Sequence, residues 1–226
     1  MLEVDKLKYP DGRSASNLSS RLKILSGSVT DYSSVEATFL AGQSLSRGAG
    51  LDAVVLAMGG KTSDVGPGML ATGTSNVVRA LRSLPSCLRP GCRLVVVSSI
   101  GVGDSKGQAP FFFRVLMATV MSRIFADKNE QEKIVRDSGM PYVLVRPGGL
   151  TVAPPTGVVK VITNEAGSIS RADLAEFVLK AAFDPDFEYV NKAPCISSVE
   201  GTGWIKDRSD KARTGKEELE TETGGQ

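Results

Sequence analysis

The chain has 226 residues, 41% hydrophobic and 23% charged, with a formal net charge of +2, the make-up of one globular domain around one shared core. So small and dispersed a charge points to neither nucleic acid nor an anionic membrane as a partner. The absence of histidine excludes a Ser-His-Asp hydrolase and a His-based metal site, so no metal is expected. The three cysteines, Cys87, Cys92 and Cys195, form no CxxC pair and suit a reducing compartment, as structural thiols.

Residues 1–20 have no clear period and read as an irregular lead-in, with a strand candidate at Leu2–Val4 and no apolar run of the secretory type. Leu22 to Leu25 is a short strand candidate, and Asp31 or Ser33 can cap a helix over Val35 to Leu45. The run Leu51 to Met58 is nearly all apolar, as in a parallel strand buried on both faces, and Gly59-Gly60 ends it. Spacing predicts a helix over Gly68 to Leu84, then a turn over Leu88 to Gly91. Arg93 to Val97 is the next buried strand, followed by Ser98-Ser99 and a Gly-rich loop through Gly107. Pro110 to Ser138 is helical, with a break predicted near Ala126 and a C-cap at Gly139. The run Phe111 to Phe125 is too short to span a bilayer, and Arg114 and Arg123 interrupt it. Tyr142 to Val145 and Val158 to Ile162 are further strands, and Ser170 with Asp173 forms a capping box for a helix reaching Phe183. Cys195 to Ser197 adds a last strand.

Alternating strands and helices define an α/β fold with a parallel sheet, helices on both faces and right-handed crossovers. Ligands bind such sheets beyond the C-terminal strand ends. Here those ends are Ser26-Gly27-Ser28, Gly59-Gly60, Ser98-Ser99 and Pro147-Gly148-Gly149, all small residues that let a ligand approach the backbone. One domain is expected over 21–202, with a charged, disordered tail over 203–226.

The segments LKILSGSVTD, LDAVVLAMGG, ATGTSNVVRAL, RLVVVSSIGVG, DKNEQEKIVRDSGMPYVLVRPGGLT and ISRADLAEFVLKAA resemble the atypical short-chain dehydrogenases, a group with NmrA-like and flavin reductase/biliverdin reductase B-like members. The resemblance covers about Leu22 to Ser197 and implies a Rossmann-like NAD(P)-binding domain, with NADP favoured over NAD. It implies Ser28 and Val29 by the adenine, with Met58, Gly59 and Gly60 along the ribose and diphosphate. It implies Ser98 and Ser99 near the nicotinamide, Lys128 on the nicotinamide ribose, and Pro147, Gly148 and Gly149 as a wall. Ser99 and Lys128 are the catalytic candidates.

Three departures stand out. The opening strand and the GxxGxxG phosphate loop that the resemblance implies do not occur in the sequence, so an N-terminally incomplete version of the fold is expected, with Met1 not its natural start. Ser28 replaces the usual Asp. Ile124 stands four residues before Lys128, so the YxxxK phenol is missing. The expected activity is hydride transfer from NADPH to a small conjugated or flavin-like acceptor; the alternative is a non-catalytic module working through protein partners. The expected setting is cytoplasmic, or a plastid or other organelle if a leading segment is missing.

Competing readings remain for several motifs. Gly59-Gly60-Lys61-Thr62 resembles a P-loop end, but the pattern's first Gly falls on Val55, which favours a strand-end turn. Gly101 to Gly107 nearly matches GxGxxG and reads better as a flexible loop over the substrate pocket. Lys128, with Asp127, Glu130 and Glu132, could equally form a solvated salt-bridge face. Ser98 and Ser99 could merely cap backbone groups. Tyr142 and Phe111 to Phe113 read as packing residues.

Overall fold

The computed structural model describes residues 22–59 and 66–198. The lead-in, the Leu2–Val4 candidate, Gly60-Lys61-Thr62 and the charged tail lie outside the described residues.

Helix α1 spans Tyr32–Leu45 and starts at Asp31, whose carboxylate accepts the backbone N–H groups of Ser33 and Ser34 at 3.1 and 3.2 Å. Strand β1 (Leu51–Leu56) leads towards α2 (Met69–Ser83), and a 3₁₀ turn (Pro85–Cys87) leads into β2 (Leu88–Val97). A second 3₁₀ turn (Gly103–Gln108) precedes α3 (Phe111–Ala118), α4 (Ser122–Arg136), β3 (Tyr142–Pro147) and β4 (Gly149–Thr151). Then come β5 (Lys160–Val161), β6 (Ser168–Ser170), α5 (Arg171–Phe183) and β7 (Cys195–Ser197).

The main sheet has the order β1-β2-β3-β7-β5, parallel from β1 to β7, and β4 pairs with β6 in a small parallel ribbon. Alternation along β2 and β3 feeds two cores. Leu94, Val96 and Leu144 pack with Val35, Phe39, Val77, Leu81 and Val135 of α1, α2 and α4. Val95, Val143 and Val145 pack with Phe177, Val178 and Ala181 of α5. Helices therefore cover both faces, as the α/β reading requires. A third cluster (Ile100, Val102, Met117, Phe125 and Ile162) closes the region past the strand ends.

Several boundaries differ from expectation. Leu22 to Leu25 forms no strand; Leu22, Ile24 and Leu25 are exposed coil. A strand there needs a neighbour, and no ladder reaches it among the described residues. Among the described residues β1 is also the edge of the sheet, and the predicted burial on both faces fails: Val55 is 43% exposed while its cross-strand partner Val95 is 0%. The predicted turn over Leu88 to Gly91 is the start of β2, bent by an irregularity in its pairing with β1. The helical break falls at 119–121, not near Ala126. The Val158 to Ile162 strand shrinks to two residues and pairs antiparallel with β7. Among the described residues no helix is long and apolar enough to cross a membrane, and no cluster of metal-ligating side chains occurs.

The capping box at α5 forms, with the Asp173 N–H donating to Ser170 Oγ at 3.0 Å. The fully buried Asp173 carboxylate also accepts Thr156 N–H (2.9 Å), Gly157 N–H (3.0 Å) and the hydroxyls of Thr156 and Ser170 (both 2.9 Å). Burial alone would raise its pKa, but these donors outweigh it and bring the pKa to about 2. A folded pKa below the unfolded one stabilises the fold at pH above about 4 and loses that stabilisation as pH falls towards about 2. Urea unfolding should therefore shift to lower midpoints across that window. Asp173→Asn should cost about 1–3 kcal/mol near neutrality and flatten the acid limb.

The edge position of β1 gives a second expectation. Val95→Ala should cost about 2–3 kcal/mol in urea unfolding, from lost burial plus a cavity. Val55→Ala, directly opposite, should cost less than about 1 kcal/mol. Equal costs would mean that β1 is covered.

Candidate functional site

The C-terminal ends of β1, β2 and β3 carry the candidate residues in two groups. In the first, Val29 and Met58 both lie against Gly73 of α2: a Cβ there would sit 2.7 Å from a Val29 methyl carbon and 3.2 Å from the Met58 sulfur. The Val29 carbonyl accepts Asn76 Nδ2 at 3.0 Å, which ties this segment to α2. Ser28 is exposed, its hydroxyl 2.7 Å from that of Thr30. Gly59 is exposed with open space beside it, and Gly60 lies outside the described residues.

The second group gathers around Arg146, the last residue of β3 before Pro147. Arg146 is 1% exposed. Its Nε and one terminal nitrogen donate to the two oxygens of Glu132 at 2.9 and 2.7 Å, and its other terminal nitrogen donates to Asp104 at 2.6 Å. Ser98 Oγ donates to Glu132 at 2.6 Å. Burial works against the Arg146 charge, but the bonds to Glu132 and Asp104 prevail and raise its pKa above the ordinary value. Asp104, drawn by Arg146, is held below the usual carboxylate range. Gly103 has φ +58°, and a Cβ there would lie 2.7 Å from the guanidinium, so only glycine fits. Its N–H donates to Asn129 of α4 at 2.9 Å. The loop over 101–107 is therefore clamped from two sides.

Lys128 precedes Glu132 by one turn of α4. It is half-buried and, among the described residues, has no hydrogen-bond or ion-pair partner. Burial lowers its pKa, and the nearby Glu132 and Asp127 charges only partly offset this. The solvated salt-bridge face is thus a correction: Glu132 is buried on Arg146, and Asp127 is buried at the start of α2, accepting Leu70 N–H and Ala71 N–H at 2.9 Å each. Gly68, at the cap position of α2, offers no side chain, so Asp127 caps that helix across the tertiary fold.

The two serines part company. Ser98 is buried and committed to Glu132, while Ser99 is half-buried with its hydroxyl on the Ile100 carbonyl at 3.0 Å. Gly148 owes its size to packing, since a Cβ would strike the Gly167 carbonyl oxygen. Gly149 donates its N–H to the same carbonyl at 2.9 Å, and Pro147 is buried, its carbonyl accepting Ile100 N–H at 3.1 Å. The Phe111 to Phe113 packing expectation holds only for Phe113, which meets Phe125 edge to face at 5.9 Å; Phe111 and Phe112 are 72% and 65% exposed. Sequence reasoning missed Arg146, Glu132 and Asp104. The signal was an arginine closing an otherwise apolar strand, which demands a buried carboxylate.

An open parallel sheet with helices on both faces and small residues at its strand ends defines a Rossmann-type fold. The profile of the NAD(P)H-binding family matches residues 10–185, and this chain belongs to that family. Its curated relatives include the oxidoreductase AgnL4 of Paecilomyces divaricatus, 28% identical over 56% of this chain and 50% of its own length. Another is an uncharacterized chloroplastic protein of Arabidopsis thaliana, 35% identical over 52% of this chain and 41% of its own length. The chain thus spans about half the length of the curated relatives it matches. Among solved structures, ChuY, an anaerobillin reductase from Escherichia coli O157:H7, superposes with a TM-score of 0.61 at 23% identity, over 84% of this chain and 82% of its own. A short-chain dehydrogenase/reductase from Veillonella parvula in complex with NADP gives 0.55 at 15% identity, over 77% and 71%. At these identities the structures share the fold.

Breaking the buried pair at one end leaves an uncompensated charge. Glu132→Ala should cost about 3–5 kcal/mol in urea unfolding. Adding Arg146→Met to Glu132→Leu should restore part of the stability, and a double variant no better than Glu132→Leu alone would contradict the pairing.

Proposed function

We propose that this chain binds NAD(P)H beyond the C-terminal ends of β1, β2 and β3 and holds it for hydride transfer to a small conjugated or flavin-like acceptor. Lys128 carries the reading. A half-buried ammonium that has no hydrogen-bond or ion-pair partner among the described residues, with Glu132 and Asp127 only partly offsetting its burial, gains from a ligand that supplies an acceptor, and the hydroxyls of a nicotinamide ribose are such acceptors. Ser28, Val29, Met58 and Gly59 would take the adenosine end, and Ser99, Lys128 and the Pro147–Gly149 wall the nicotinamide end. The bound dinucleotide would supply the hydride; the protein supplies placement and charge. With Ser98 engaged by Glu132, the Ser99 hydroxyl or water is the proton source. NADP is favoured over NAD by the short-chain dehydrogenase resemblance and by the NADP bound to the Veillonella fold relative. The three unpaired thiols suit a reducing setting, the cytoplasm or, as for the Arabidopsis relative, a plastid.

A second reading, a non-catalytic module acting through a protein partner, is favoured by the exposed Phe111 and Phe112. Titration with NADPH, followed by fluorescence, separates the two. The enzyme reading expects saturable binding, turnover of a quinone or flavin, and about tenfold weaker binding for Lys128→Ala, the equivalent of one hydrogen bond. No binding at millimolar NADPH would overturn it.

A further inference from the structure

We infer that Glu132 and Arg146 are positioning residues for the nicotinamide end of the site, fixing Lys128, the β2 end and the Pro147–Gly149 wall relative to one another. This rests on the cofactor reading above.

One carboxylate meets all three elements that carry those candidates. Glu132 belongs to α4 and stands four residues after Lys128, so the two share a helix face one turn apart. Its Oε1 takes the Ser98 hydroxyl at 2.6 Å, which reaches the end of β2 next to Ser99. Both of its oxygens take the Arg146 fork, at 2.9 and 2.7 Å, which reaches β3 directly before Pro147. The backbone repeats the linkage between the strands, with Ser98 N–H on the Val145 carbonyl at 2.7 Å and Ile100 N–H on the Pro147 carbonyl at 3.1 Å. The third Arg146 bond, to Asp104, secures the segment that follows Ser99.

The geometry leaves this node little slack. A bidentate fork fixes the guanidinium plane as well as its distance, and Arg146 and Glu132 side chains are only 2% and 4% exposed. Neither can therefore touch a dinucleotide, and any effect on binding must pass through the groups they hold. Lysine in place of Arg146 would keep the charge and lose the fork. Glutamine in place of Glu132 would keep the shape and one acceptor and lose the charge.

The experiment uses the full chain and two probes. NADPH reaches both ends of the site; adenosine 2′,5′-bisphosphate carries the adenosine end without the nicotinamide riboside. Glu132→Gln should raise the Kd for NADPH about tenfold, a one-hydrogen-bond loss, and leave the Kd for the bisphosphate unchanged. In the Lys128→Ala background Glu132→Gln should weaken NADPH binding by clearly less than it does in the wild type, because part of its effect passes through Lys128. Should Glu132→Gln fail to fold, Arg146→Lys carries the same measurements. Equal weakening of both probes, no change in either, or additive losses with Lys128→Ala would overturn the positioning role and leave the cofactor reading intact. Wild-type chain that binds neither probe would overturn both.

Discussion

The fold turns on a buried charge. Arg146 stands near the end of β3, a strand whose other buried residues are the apolar Val143, Leu144, Val145 and Pro147. Taking an ion pair out of water costs several kcal/mol per ion, recovered only when the geometry is good and the remaining polar atoms are satisfied. Both conditions hold: each of the three kinds of Arg146 nitrogen has an acceptor, and both Glu132 oxygens have donors. Such a network tolerates one arrangement of its parts. The position of α4 across β3, the end of β2 and the start of the 3₁₀ turn at Gly103 are all set by it.

The opposite side of the sheet is held more loosely. Strands of a parallel sheet are normally buried on both faces, and Leu94–Val96 of β2 and Val143–Pro147 of β3 follow that rule. β1 departs from it because, among the described residues, nothing pairs with its outer edge. Val55 on β1, the coil residues Leu22, Ile24 and Leu25, and Leu179 and Phe183 of α5, which packs across β1, are all exposed. An edge of this kind is open to strand addition or self-association.

Much of this was legible in the sequence, for identifiable reasons. Asp31 and Ser170 cap the helices they were expected to cap, because local side-chain to backbone bonds need only adjacent residues. The Tyr142 strand and the Rossmann-type order follow from apolar runs and their spacing. Long-range relations were not legible. Lys128, Asp127 and Glu132 look like an ordinary charged helix face until α2 and β3 are laid against them. Leu22 to Leu25 has strand composition, but a strand exists only when a neighbour takes its hydrogen bonds. Gly148 looks like a ligand-approach glycine, yet the space it leaves is filled by the Gly167 carbonyl.

Helix α4 also carries two adjacent stripes with separate duties. Asp127 and Gln131, one turn apart, are both spent on α2, at the Leu70 and Ala71 amides and the Thr74 hydroxyl. Lys128 and Glu132, displaced by one residue, serve the strand ends. A single insertion or deletion would turn the helix about 100° and misalign both duties at once, because neither stripe can be repaired without breaking the other. Length variation among related sequences should therefore be purged from this helix and accumulate instead in the stretch between Gly107 and Ser122.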